Sequence, residues 1–187
     1  MSLTNRIYMI RHGRASAGWD TALDPDLDDL GRAQSQEVAD QLQSLQLSNI
    51  ITSPLSRCQQ TAEPLASMWN LSPRVCTEVS EIPSPHGVAM SDRIVWLRNA
   101  MQGTWSDLGQ EYVSYRDQIT DFVRNIQTDT VIFSHFIAIN ALVGGVLGDD
   151  RLVILSLDNC SVTIFERDAN GNLSLVQGGH EADTLIR

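Results

Sequence analysis

Hydrophobic positions along this chain form two kinds of run, short continuous ones and longer periodic ones. Ile7-Tyr8-Met9-Ile10 is apolar throughout, as expected of a strand buried on both faces of a sheet. Asn49-Ile50-Ile51-Thr52 and Thr130-Val131-Ile132-Phe133 read the same way. Between these runs the spacing lengthens. Leu30 to Leu47 predicts a helix carrying Val38, Leu42 and Leu45 on one side, and Tyr112, Tyr115, Ile119, Phe122 and Ile126 recur at the amphipathic period. Ser53-Pro54 predicts a helix start, with Ser as cap and Pro at the first helical position, where its missing N–H is no loss; the helix runs to about Asn70. Leu71 to Leu108, with Pro73, Pro83 and Pro85, predicts loop around a short helix at Asp92 to Met101. Phe136 to Leu147 predicts a buried helix, and Leu152 to Leu157 and Ser161 to Glu166 predict strands. Asn170-Gly171 marks a hairpin turn before Leu173 to Val176. This alternation predicts an α/β fold, a three-layer sandwich with a mostly parallel central sheet, helices on both faces and an antiparallel edge.

Composition narrows the partners. A chain of 187 residues fits a single domain over 1–187, with about 82–109 set apart as a short cap or specificity segment. Hydrophobic residues at 42% and charged residues at 19% argue against a disordered chain. Thirteen basic against 23 acidic residues give a net charge of −10, which argues against nucleic acid and anionic membrane as partners. The cysteines Cys58, Cys76 and Cys160 lie far apart, so neither a disulfide framework nor a CxxC metal or redox site is expected. The opening MSLTNR shows no signal peptide, and no apolar run approaches the ~20 residues that span a bilayer. The expectation is a cytoplasmic protein without cofactor or metal. A homodimer is compatible with the sequence, which carries no readable code for oligomeric state.

Ligands of an open parallel sheet lie outside the carboxyl ends of its strands. Arg11-His12-Gly13 follows the first predicted strand, Ser53-Pro54 with Arg57 follows the second, and Ser134-His135 follows the third. Two histidines and two arginines thus fall at one sheet end, although the chain has 4 histidines in all. That set suits phosphoryl chemistry, because guanidinium forks match phosphate oxygens and stay charged. The helix opening at Ser53-Pro54 is expected to add free N–H groups and a positive dipole end. Arg14, Ser53 and Ser134 are further candidate substrate contacts. An arginine ~4 Å from a phosphate oxygen contributes roughly 4 kcal/mol at an effective dielectric near 20. Carboxylates beyond a Debye length of ~8 Å are largely screened, so a local basic pocket outweighs the acidic shell.

Arg11-His12-Gly13 after a strand, Ser53-Pro54-Leu55-Ser56-Arg57 continuing to Thr61-Ala62, and the strand-end Ser134-His135 together resemble the histidine phosphatase superfamily, also called phosphoglycerate mutase-like. The resemblance covers about residues 6–166. It implies the phosphoglycerate mutase-like fold and a metal-independent phosphomonoester hydrolase acting on a small phosphorylated metabolite or phosphoprotein. His12 would be the nucleophile, forming a phosphohistidine while its second ring nitrogen donates to an acceptor that fixes the tautomer. Arg11 and Arg57 would grip the phosphoryl oxygens and His135 would stabilise the transferring group. In Val79-Ser80-Glu81-Ile82, Glu81 would give a proton to the leaving oxygen, which requires a raised pKa, with Glu78 as the alternative.

Departures from the family's mutases bear on substrate. Arg14 stands where mutases often carry an acidic residue, His135 lies in a Ser-His-Phe setting, and Ile82-Pro83-Ser84-Pro85-His86 replaces a longer covering insertion. A phosphoglycerate-type mutase and a non-catalytic phosphate-ester or phosphoprotein binding module are the competing readings. Ordinary roles also exist for each residue: Arg57 pairing Glu37 or Glu63 on a helix surface, Ser53 only as a cap, Arg14 as a surface charge, and Glu81 as a loop carboxylate. His86 and His180 read as surface residues, and the cysteines as packing residues.

Overall fold

The strand nearest the N-terminus, β1 (Asn5–Arg11), organises the sheet. The computed structural model describes residues 4–182; residues 1–3, the start of the MSLTNR stretch, and 183–187 lie outside them. Following β1 come α1 (Asp29–Leu42), β2 (Ile50–Thr52), α2 (Ser56–Trp69), β3 (Arg74–Val75), α3 (Arg93–Ala100), α4 (Trp105–Leu108) and α5 (Gln110–Arg124). Then follow β4 (Thr130–Ser134), α6 (Phe136–Leu147), β5 (Val162–Arg167) and β6 (Leu173–Gln177). The sheet order is β3-β2-β4-β1-β5-β6. Strands β1, β2, β3 and β4 run parallel, while β5 pairs antiparallel with both β1 and β6.

Side-chain alternation along β1 feeds two cores. Ile7 and Met9 join Ile51 and Ile132 against α5 and α6 on one face, with the fully buried Trp105. Tyr8 and Ile10 join Val131 and Phe133 against Val38 and Leu42 of α1 and Cys58, Ala62 and Leu65 of α2 on the other. Helices on both faces require strands apolar on both faces, which is why these runs do not alternate polar with apolar. The three-layer arrangement with an antiparallel edge is the one the pattern predicts. Among the described residues no helix is long and apolar enough to cross a membrane.

Several details depart from the sequence reading. Leu152 to Leu157 is not a strand, because the side chain of Asn140 on α6 takes up its backbone groups. Its Oδ1 accepts from the amides of Ile154 and Leu155 at 2.8 and 2.9 Å, and its Nδ2 donates to Leu155 O at 3.0 Å. The Leu30–Leu47 helix ends at Leu42 and continues as a single 3-10 turn over Gln43–Leu45. Strand β3 and helix α4 lie within the stretch read as loop. The second helix starts at Ser56, not at Ser53-Pro54, with Leu55 as its cap residue. Its first amide and the Ser56 hydroxyl both donate to Asp24, at 2.8 and 2.7 Å. A carboxylate from the loop between β1 and α1 thus already occupies the positive end of α2, and the free N–H groups expected there for a phosphate are partly spent.

Candidate active site

The carboxyl ends of β1, β2 and β4 lie side by side, so the residues that leave them converge. His12 is held through its backbone: its amide donates to Ser134 O at 3.0 Å and its carbonyl accepts from Asn159 Nδ2 at 2.9 Å. Thr61 on α2 locks the next peptide, accepting from Gly13 N at 3.0 Å while donating to Arg57 O at 2.6 Å. A side chain at position 13 would not fit, since a Cβ there would lie 2.6 Å from Gly31 O at the start of α1. His12 Nδ1 lies 2.7 Å from Gly13 O, an acceptor, so this nitrogen carries the proton. The lone pair is therefore on Nε2, where the Arg57 Nε–H points at 3.2 Å.

Arg57 bridges the two imidazoles. Its Nη2 donates to His135 Nδ1 at 3.2 Å, which leaves the His135 Nε2–H to donate to Ser53 Oγ at 2.8 Å. The rings stand edge to face, 5.3 Å apart. Burial, then the charges of Arg57 and Arg11, hold His12 well below the ordinary histidine pKa. His135 is held low in the same way, by burial first and then by Arg57, His12 and Arg11. Both rings are neutral at pH 7, so each keeps one unprotonated nitrogen.

Arg11 approaches from β1. Its Nη1 donates to Leu157 O at 2.6 Å and its guanidinium lies 5.1 Å from the Phe136 ring centre. Its Nε is buried with no hydrogen-bond partner among the described residues. Burial lowers its pKa to about 10, which still leaves it charged at pH 7. Glu81 completes the set, with Oε2 3.7 Å from His135 Nδ1 and Oε1 accepting from Ile82 N at 3.0 Å. Burial raises its pKa against the opposing pull of Arg57 and Arg11. Its contact with the neutral His135 ring is accordingly not an ion pair.

His12, Arg11, Arg57, His135, Glu81 and Ser53 therefore come together. Arg14 and Ser134 are engaged elsewhere. The Arg14 Nε donates to Asp28, the N-cap of α1, at 2.5 Å, and Ser134 Oγ donates to Val79 O at 2.7 Å. Glu78 is exposed on a 3-10 turn, its carboxylate 3.4 Å from its neighbour Thr77 Oγ1. Ser53 does not cap the helix; its oxygen accepts from Leu55 N at 3.3 Å and faces His135. Sequence reasoning missed Asn159, the linking role of Thr61, and Tyr115, whose hydroxyl donates to Ser80 O at 2.9 Å just before Glu81. Thr61 alone carried a signal, in the Thr61-Ala62 end of the second motif. Cys58 packs behind His135, its thiol 3.3 Å from Ser134 O and pushed up in pKa by burial. No group of three or more His, Cys, Asp or Glu side chains among the described residues is arranged to hold a metal ion.

Comparison with known proteins finds one family. The family model of the histidine phosphatase superfamily (branch 1) matches residues 7–177. The probable phosphoglycerate mutase GpmB of Photorhabdus laumondii is 27% identical, over 84% of this chain and 83% of that one. A mycobacterial glucosyl-3-phosphoglycerate phosphatase superposes with a TM-score of 0.75 at 20% identity, over 93% of this chain and 98% of that one. The phosphoserine phosphatase of Entamoeba histolytica gives 0.74 at 19% identity, over 96% and 98%. At such identities the two structures establish a common fold.

Proposed function

Because the chain belongs to the histidine phosphatase superfamily, branch 1, we propose that it hydrolyses phosphomonoesters through a phosphohistidine on His12 Nε2. The observation that carries this reading is the pair of neutral imidazoles bridged by Arg57, beside the buried and unpartnered Nε of Arg11. A phosphoryl group entering there gains charge-assisted hydrogen bonds from Arg11 and Arg57. His12 Nε2 attacks phosphorus, the ester P–O bond breaks opposite it, and the Glu81 carboxyl gives its proton to the leaving oxygen. Glu81, now a carboxylate, takes a proton from water as that water's oxygen attacks the phosphohistidine. The N–P bond then breaks and inorganic phosphate leaves. No step calls on a metal ion.

The segment 82–109 packs against the loop that follows His12. Trp96 on α3 lies 6.3 Å from Trp19, which follows His12 by seven residues, and 5.6 Å from Tyr112 at the start of α5. The Arg93 guanidinium lies 6.0 Å from the Trp19 ring, and its buried Nε has no hydrogen-bond partner among the described residues. That unpaired edge makes Arg93 the residue of this segment to test against a second anionic group on the substrate, carboxylate or phosphate.

Rapid quenching with radiolabelled substrate tests the covalent step. Acid-labile, base-stable label on the wild type and none on His12→Ala is the expected result; label on another side chain overturns the mechanism. Turnover abolished by a chelator would exclude the metal-free route. The Photorhabdus relative's name favours a mutase reading. Incubation with a phosphoglycerate separates the two, since a hydrolase releases free phosphate and a mutase returns an isomer.

A further inference from the structure

We propose that Tyr115 and Ser134 are positioning residues that hold Glu81 against the His12–His135 pair. The inference rests on the phosphatase reading and deepens it at the proton donor. Glu81 sits where the chain has neither helix nor strand, between a 3-10 turn at Thr77–Val79 and the Pro-rich residues that follow. Such a segment keeps its shape only through what grips it. Two successive carbonyls immediately before Glu81 are gripped by side-chain hydroxyls from separate elements. Val79 O accepts from Ser134 Oγ at 2.7 Å, and Ser80 O accepts from Tyr115 OH at 2.9 Å.

Both anchors are themselves fixed. Ser134 is the last residue of β4, fully buried, and its peptide neighbour is His135. The acid and the imidazole it faces are thereby tied to a single strand end. Tyr115 rests its ring 5.8 Å from that of Trp105, which is fully buried. Val79 and Ile82 bury their side chains on either side of the acid, so the four-residue stretch is held by backbone and side chain together. A proton donor misplaced by about 1 Å forfeits as much as a hundredfold in rate.

The groups facing Glu81 come from four elements. They are Arg11 at the end of β1, Arg57 and Cys58 on α2, His135 after β4, and Tyr115 on α5. The two guanidiniums pull its proton off while burial keeps it on. Loosening the clamp admits water and shifts that balance toward the carboxylate. The Tyr115 phenol is itself held far above its ordinary pKa by burial and by Glu81, so it stays a donor throughout the working range.

The test exploits leaving groups. An alkyl phosphate such as glycerol phosphate needs a proton on its departing oxygen, whereas p-nitrophenolate departs without one. Tyr115→Phe and Ser134→Ala are assayed on both esters across pH, with the full chain and a thermal melt for each variant. The expected result, read in kcat/KM because the leaving group departs before the shared hydrolysis of the phosphohistidine, is a fall of about tenfold on glycerol phosphate with its alkaline limb displaced to lower pH, and a fall under threefold on p-nitrophenyl phosphate. Glu81→Gln should show the same selectivity more strongly, and Tyr115→Phe added to it should cause no further loss. Equal losses in kcat/KM on both esters, or a Tyr115→Phe loss in kcat/KM that persists in the Glu81→Gln background, would overturn the positioning role. Because Tyr115→Phe keeps the ring, it decides the matter if Ser134→Ala fails to fold. A wild type inert on both esters overturns the phosphatase reading itself, and this inference with it.

Discussion

Removing the Arg57 guanidinium while keeping its apolar stem, as Arg57→Met does, strikes the centre of the site. Its Nε and Nη2 each lie 3.2 Å from an imidazole nitrogen, so a phosphoryl group seated between the rings would be within roughly 4 Å of the charge. At an effective dielectric near 20 that contact contributes roughly 4 kcal/mol, about three decades of rate at ~1.36 kcal/mol per decade. The expected fall in kcat/KM on p-nitrophenyl phosphate is therefore near a thousandfold. Arg57→Lys keeps a charge and loses the fork, and should recover at least about tenfold of it. The charge also depresses the His12 pKa, second only to burial, so the acid limb of kcat/KM should move to higher pH in Arg57→Met. Stability should move the other way from activity. Arg57 is buried and its charge opposes that of Arg11, so its loss should leave the melting temperature unchanged or raised. A correctly folded Arg57→Met within tenfold of wild type, or with an unmoved acid limb, would refute the reasoning.

Three further outcomes follow from other contacts. His12 is neutral when folded but binds a proton below about pH 6.5 when unfolded, so the unfolded state holds more protons there and stability falls as pH drops. Glu81 acts oppositely, losing its contribution as pH rises above its ordinary value of 4.5; urea unfolding of His12→Asn should therefore show a slope below pH 6.5 flatter by up to ~1.4 kcal/mol per unit, and an unchanged slope would contradict the His12 assignment. Asn140→Ala strands two amides and a carbonyl of the Ile154–Leu155 segment, at about 1–3 kcal/mol each if they stay dry. Calorimetry should then find a melting temperature at least about 6 °C lower. Arg93→Met should raise KM about tenfold for esters bearing a carboxylate or second phosphate while leaving p-nitrophenyl phosphate unaffected, and equal effects on both classes would remove Arg93 from substrate recognition.

The strands and the site ends were legible because they follow from local chemistry. Ile7–Ile10 and Thr130–Phe133 are apolar on both faces, and a strand so covered must sit inside a sandwich, which places His12 and His135 at its rim. What the sequence hid depends on distant pairings. Leu152 to Leu157 has the composition of a strand, yet one amide side chain twelve residues upstream of its first residue takes up its hydrogen bonds. Ser53-Pro54 has the chemistry of a helix start, yet Asp24 from another loop caps the helix two residues later. Ser134 looks like a substrate contact because it adjoins His135; its hydroxyl instead turns back to Val79. Tyr115 reads as one more core aromatic in the stripe from Tyr112 to Ile126, and only the fold places its phenol beside the acid.

The position of β1 has a consequence for how the protein is made. Its residues pair with Thr130–Ser134 on one side and Val162–Arg167 on the other, so neither neighbour exists when β1 leaves the ribosome. At about 5–20 residues per second, the nascent Ile7–Ile10 stretch waits on the order of ten to thirty seconds for both partners to be synthesised. During that interval His12 has been translated but has no pocket. The site is assembled only when the last third of the chain emerges, and the exposed apolar strand is the point at which a chaperone would act or an aggregate would start.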